Sequence, residues 1–148
     1  MNRRPIRVLF LCTGNSARSV IAEALLRQLG GDAFEVHSAG THPKGINPFT
    51  VKVLEQEGID VSSFTSKNVD EFIGRDFDYV VTVCDRAAEE CPVFPGAPER
   101  IHWSFPDPAA VEGPDLVKQA AFQETLRGMR RRIELFVPVA TRPAAPTA

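Results

Sequence analysis

The chain has little cysteine, almost no tryptophan or tyrosine, and no long apolar run. Cysteine occurs three times in 148 residues, at 12, 84 and 91. Thiols this sparse do not make the framework of a disulfide-stapled secreted domain. In a reducing compartment they read as catalytic or redox-active. Neither sign of charge dominates: 17 Lys and Arg against 19 Asp and Glu give a net −2, which argues against a general nucleic-acid binder. No segment approaches the ~20 apolar residues of a membrane span. The apolar run near the N-terminus is cut short by Thr13-Gly14-Asn15-Ser16, too soon for a signal peptide, so a cytoplasmic protein with no membrane partner is expected. His37, His42 and His102 match no metal-ligand spacing, and no metal is expected. No internal repeat is present. What remains is ordinary for a globular chain: 43% hydrophobic and 24% charged residues, enough for one domain over residues 1–140. Residues 141–148 are rich in proline and alanine and are expected to be a disordered tail. A monomer is the default.

Strand-like and helix-like segments alternate. Residues 6–12, 34–38, 79–83 and 100–103 read as strands, the third being β-branched and nearly all apolar. Residues 19–29 have a helical apolar face of Val20, Ile21, Ala24, Leu25 and Leu29, ended by Gly30-Gly31. Asn47-Pro48 opens a second helix to about residue 57 in cap-then-proline order, and a short helix covers 69–73. The longest helix spans 114–136, with Pro138 as its stop. Such alternation predicts an α/β fold: a single-domain, open, parallel four-stranded sheet with helices on both faces. Ligands in these folds bind beyond the carboxyl ends of the strands. Cys12 and Cys84 fall at such ends, and Asp107 follows the last strand by a few residues.

The stretch Cys12-Thr13-Gly14-Asn15-Ser16-Ala17-Arg18-Ser19 joins the first strand to the first helix. A short loop at a helix N-terminus turns successive amides toward a tetrahedral anion, and Arg18 can clamp two of its oxygens. The same field favours a thiolate at Cys12, a nucleophile aimed at a phosphate-like ion. Ser19 is either the helix cap or a donor to that thiolate, and the two roles are compatible. Asn15 holds the loop in shape, because asparagine tolerates left-handed backbone and bonds local amides. Asp107, in Phe105-Pro106-Asp107-Pro108, is a turn residue by composition; beside Cys12 and Arg18 it reads as the general acid for the departing oxygen.

Cys84 and Cys91 are either two inert thiols or a redox pair. If residues 85–91 are helical, the gap spans ~10 Å, whereas a disulfide needs Cα atoms within ~7 Å. The pair can therefore join only if the segment unwinds, which makes 84–91 an order–disorder switch bounded by Pro92. Trp103 is expected in the core, and Arg130-Arg131-Arg132 on a solvated helix face.

From residue 6 to 136 the chain resembles the thioredoxin-coupled arsenate reductases, built on the low-molecular-weight tyrosine phosphatase fold. The resemblance rests on the residue 12–19 stretch, Ser38-Ala39-Gly40, Asn47-Pro48, Val81-Thr82-Val83-Cys84, Cys91-Pro92, and His102-Trp103-Ser104-Phe105 leading to Asp107-Pro108. It implies that arsenate is held by Thr13, Gly14, Asn15, Ser16, Ala17, Arg18 and Ser19. It implies that Cys12 attacks arsenic with help from Asp107, and that Cys84 and Cys91 relay the oxidation to thioredoxin. No bound cofactor is implied; glutaredoxin or a low-molecular-weight thiol is the alternative electron source. Some relatives bind potassium through an asparagine, a glutamate, a serine and an aspartate. Asn15, Glu23 and Ser38 match, but Lys67 stands where the aspartate would be, and its ammonium is expected to replace the ion and pair with Glu23. The competing readings are a phosphotyrosine or phosphomonoester hydrolase using Cys12, Arg18 and Asp107, and a non-catalytic anion-sensing module. The absence of tyrosines after Asp107-Pro108, where Ala109-Ala110-Val111 follows, disfavours the hydrolase.

Overall fold

The structure, a computed structural model, describes residues 4–142. The expected tail falls mostly outside them. The elements run β1 (Ile6–Cys12), α1 (Arg18–Gly30), β2 (Phe34–Gly40), α2 (Pro48–Gln56), β3 (Tyr79–Thr82), α3 (Asp85–Glu90), β4 (Glu99–His102) and α4 (Asp115–Ala140), with short 3₁₀ turns at 31–33, 69–72 and 108–110. The four strands are parallel in the order β2-β1-β3-β4. Cys12 pairs with Gly40, and Leu11 with Thr82, so the chemistry-bearing strand ends lie along one rim.

The pleat sorts the core. Phe10, Phe34 and Tyr79 share one face of the sheet, alongside Phe136 of α4. Phe136 lies 6.0 Å from Phe34, 5.0 Å from Tyr79 and 5.8 Å from Trp103, ring centre to ring centre. Trp103 is buried, as expected from the sequence. The alternate residues face the other side, where His37 meets Phe72 and Phe77, and Phe77 meets Phe94. Short α3 packs there, with Ala87 fully buried. Helices thus cover both faces, but unequally: long α1 and α4 on one, short α3, the 69–72 turn and aromatic loops on the other. β4 is an edge strand and mostly exposed.

One expected boundary is wrong. α4 does not stop before Pro138 but runs to Ala140. Proline forfeits an amide bond to the carbonyl four residues back, yet in a last turn little follows to be disrupted. The carbonyl of Val137 is satisfied from beyond, by the amide of Thr141 at 3.0 Å and its hydroxyl at 2.7 Å.

Candidate active site

The loop from Cys12 to Arg18 is held from outside by its carbonyls. That of Cys12 accepts from the Thr41 amide, Thr13 from His42, Gly14 from Lys44, and Ser16 from both the Asn47 amide and the Thr50 hydroxyl. The Asn15 carbonyl accepts from the Ser66 hydroxyl at 2.5 Å. Among the described residues, the amides of Gly14, Asn15, Ser16 and Ala17 donate to no protein acceptor. Peptide units whose carbonyls are spoken for leave donors for a ligand.

Asn15 takes the strained place, with φ of +44°. Its amide nitrogen donates to Ser19 Oγ and Ser38 Oγ, both at 2.9 Å, and its Oδ1 accepts from the Lys67 amide at 2.7 Å. Left-handed backbone is tolerated by asparagine, and three side-chain bonds fix it there. Gly40 lies against this turn: a Cβ would come within 2.5 Å of the Thr13 carbonyl oxygen.

Ser19 Oγ sits 2.8 Å from Cys12 Sγ, buried. The expected choice between cap and thiol partner is resolved by register. Ala17 is the cap residue and α1 starts at Arg18, so Ser19 lies inside the first turn with its hydroxyl turned to sulfur. Arg18 donates to the Phe105 carbonyl at 3.1 Å and approaches Asp107 at 3.9 Å. Asp107 Oδ1 accepts from the Ala109 amide at 2.9 Å, so it shapes the turn and borders the site at once. Cys12, Thr13, Gly14, Ser16, Ala17, Arg18 and Asp107 line one cavity of about 420 Å³. His42, Lys44 and Arg86 line it too, and sequence reading missed them for this role. Their signal was position, since each follows the carboxyl end of a strand.

Cys84 is buried beside this cavity, its Sγ 3.3 Å from Thr13 Oγ1. Cys91 lies across α3, half-buried in a smaller cavity with Ala88, Val80 and His102. All three cysteines are free. Burial pushes the Cys91 thiol above its ordinary range, with the Arg100 charge acting in the opposite direction. Six helical residues separate Cys84 from Cys91, so the segment between them is helical, the condition on which the expected switch rests. Each end of α3 is pinned. Asp85 accepts from His102 at 2.9 Å and Ser104 at 3.2 Å; Glu90 pairs with Arg86 at 2.6 Å and with His42 at 2.9 Å. These bonds hold both carboxyls below their usual range, His102 and then Ser104 acting on Asp85, Arg86 and then His42 on Glu90.

The expected Lys67–Glu23 pair is not formed. Glu23, 2% exposed, meets Arg27 at 2.5 Å one turn along α1, and accepts from Ser38 Oγ at 2.5 Å. The Lys67 ammonium instead reaches the Thr65 carbonyl at 3.0 Å, and Lys67 serves the loop through its backbone amide. An (i, i+4) partner on the same helix needs no loop ordering to reach the carboxylate. With both Glu23 oxygens engaged and a guanidinium alongside, these residues do not fit a potassium ion.

Among the described residues no helix is long and apolar enough to cross a membrane. The chain matches the family described as low molecular weight phosphotyrosine protein phosphatase over residues 7–137. It is 43% identical over 136 residues to an arsenate reductase of Halalkalibacterium halodurans, covering 92% of this chain and 96% of that one. Of solved structures, an arsenate reductase in the phosphate binding state superposes with a TM-score of 0.71 at 26% identity, over 90% of this chain and 98% of the other. A thioredoxin-dependent arsenate reductase of Corynebacterium glutamicum gives 0.65 at 29%, over 92% of this chain and 65% of the other. The oxyanion loop, the free thiols and these likenesses agree: the chain belongs to the low molecular weight phosphotyrosine protein phosphatase family and groups there with the arsenate reductases.

Proposed function

We propose that the chain reduces arsenate to arsenite through Cys12, Cys84 and Cys91, and that a dithiol protein of the thioredoxin class returns it to the reduced state. One observation carries this reading: Cys84 Sγ stands 3.3 Å from Thr13 Oγ1, at the edge of the loop that begins with Cys12. A phosphatase has no use for a second thiol there.

Arsenate enters the loop, where free amides and Arg18 take its oxygens. Cys12 Sγ attacks arsenic; an As–O bond breaks and Asp107 supplies the proton, so water leaves. Cys84 as thiolate then attacks Cys12 Sγ. The As–S electron pair stays on arsenic, which leaves as arsenite, and a Cys12–Cys84 disulfide forms. Cys91 attacks Cys84 Sγ next, freeing Cys12 and forming Cys84–Cys91. That last bond needs α3 to unwind, and places the disulfide where an external dithiol reduces it. The two electrons come from thiols, so the scheme uses no prosthetic group. Thr13, Gly14, Asn15, Ser16 and Ala17 bind the oxyanion. Ser19, Glu23, Ser38 and Lys67 support the loop and the thiolate.

The test is arsenate-dependent NADPH consumption with thioredoxin and its reductase, run beside glutathione with glutaredoxin. The thioredoxin arm supports turnover, and Cys84→Ser and Cys91→Ser each abolish it. Turnover supported equally by glutathione alone overturns the assignment of the donor. Hydrolysis of a phosphomonoester by the Cys84→Ser variant, with no arsenate reduction by the native chain, establishes the phosphatase reading instead.

A further inference from the structure

The cavity over Cys12 is larger than its proposed substrate requires. A water-sized group occupies about 30 Å³, so an oxyanion of five heavy atoms fills on the order of 100 Å³. The cavity measures about 420 Å³. Its outer lining carries no Phe, Tyr or Trp on which an aryl group could stack; it carries His42, Lys44 and Arg86.

Lys44 is placed by two contacts. Its amide donates to the Gly14 carbonyl at 3.0 Å, and its aliphatic stem lies over Gly14, where an added Cβ would fall 2.8 Å from Lys44 Cε. The stem is thus laid on the loop itself, and among the described residues no carboxylate pairs with the ammonium. Arg86 comes from the other side of the mouth. Glu90 takes its Nε edge at 2.6 Å, and its Nη2 lies 3.2 Å from His42 Nε2, the nitrogen that also faces Glu90, two residues from Lys44. The opposing charges are Asp107, which Arg18 faces, and Glu90 behind Arg86.

We propose that this outer part of the cavity is a second anion subsite, built by Lys44 and Arg86, that holds the second tetrahedral group of a condensed oxyanion while the first sits in the loop. The inference rests on the oxyanion-binding reading above and extends it to a ligand class: pyrophosphate-like ions bind more tightly than single ones, and aryl phosphates gain nothing. An ion with two linked tetrahedra spans both cationic groups without requiring an apolar wall.

Protection of Cys12 from iodoacetamide, read peptide by peptide by mass spectrometry on the full reduced chain, tests this without depending on turnover. Inorganic phosphate, inorganic pyrophosphate and phenyl phosphate are the probes. Pyrophosphate is expected to protect at about one-tenth the concentration of phosphate, a gain shared between the partly solvated Lys44 and Arg86 contacts. Phenyl phosphate is expected to do no better than phosphate. Lys44→Gln and Arg86→Gln each cut the pyrophosphate advantage to about threefold or less, and the double variant removes it. Protection by phosphate with no advantage for pyrophosphate overturns the subsite alone. An advantage that survives in the double variant also overturns it. Failure of phosphate itself to protect overturns the oxyanion loop, and the subsite with it.

Discussion

Ser19 Oγ is the side-chain hydroxyl within bonding distance of the Cys12 sulfur, and Asn15 aims it there. A hydrogen bond to a charged group contributes about 1.5–3 kcal/mol. Ser19→Ala is therefore expected to slow the first turnover of arsenate about tenfold or more. Rapid-quench measurement of arsenite checks this, and an unchanged rate reduces Ser19 to packing. Arg27 answers a different need, since it partners a carboxylate that water does not reach. Its own side chain is 46% exposed, so solvent takes a share, and Arg27→Met is expected to cost about 1–2 kcal/mol in urea unfolding. For the same reason, replacing sodium by potassium in the assay leaves kcat unchanged. Strong activation specific to potassium means that an ion displaces Arg27 from Glu23.

At the scale of elements, α3 is the part that the proposed relay requires to open. It is six residues long, and one histidine of β4 and one from the loop after β2 hold its ends. Exposed pairs of this kind are screened by solvent and each changes a rate only about twofold. Asp85→Ala loses both His102 and Ser104, and the Cys84–Cys91 disulfide is expected to form about two- to fivefold faster in that variant. Trapping with iodoacetamide at successive times gives the rate. Cys91 adds a pH dependence. Its folded-state pKa is raised above the ordinary 9.0, so the folded segment retains its proton where the open segment loses it. The closed form is thus favoured below the ordinary value and loses that advantage as pH rises through the folded one. Alkylation of Cys91 lags behind that of an open-chain thiol at pH 8 and catches up once the pH exceeds the folded value. Equal rates at pH 8 mean that α3 is already open.

Across the whole molecule, one side chain of α4 ties the sheet together. Phe136 touches Phe34 of β2, Tyr79 of β3 and Trp103 beyond β4. Phe136→Ala is expected to cost about 3–5 kcal/mol of stability, measured by thermal or urea unfolding, while Cys12 keeps its oxyanion site at low temperature because the loop hangs on β1, α1 and β2. Much of this architecture was legible beforehand. The βαβ alternation, the 12–19 stretch and the place of Asp107 could be read because strand and helix periods, and a glycine–asparagine loop before a helix, are local patterns. Pro138 misled because proline's penalty depends on how much helix follows it. Lys67 misled because the site offered Glu23 a nearer cation. Lys44 and Arg86 went unseen because a cavity wall is assembled from segments far apart in the chain, here the loop after β2 and α3.

The sequence by itself determined which groups are available to the proposed chemistry: a thiol, a guanidinium and a carboxyl around a strand-to-helix loop, with two more thiols seven residues apart. Those identities follow from residue type and short-range spacing. Only the tertiary structure decided who stands beside whom: Arg27 rather than Lys67 on Glu23, Ser19 turned to sulfur rather than serving as the cap, and basic groups from the loop after β2 and from α3 over one cavity. Whether a near partner on the same helix or a distant lysine takes a buried carboxylate, and which loops meet over a cavity, are settled by packing and by which charge gets there with the least ordering.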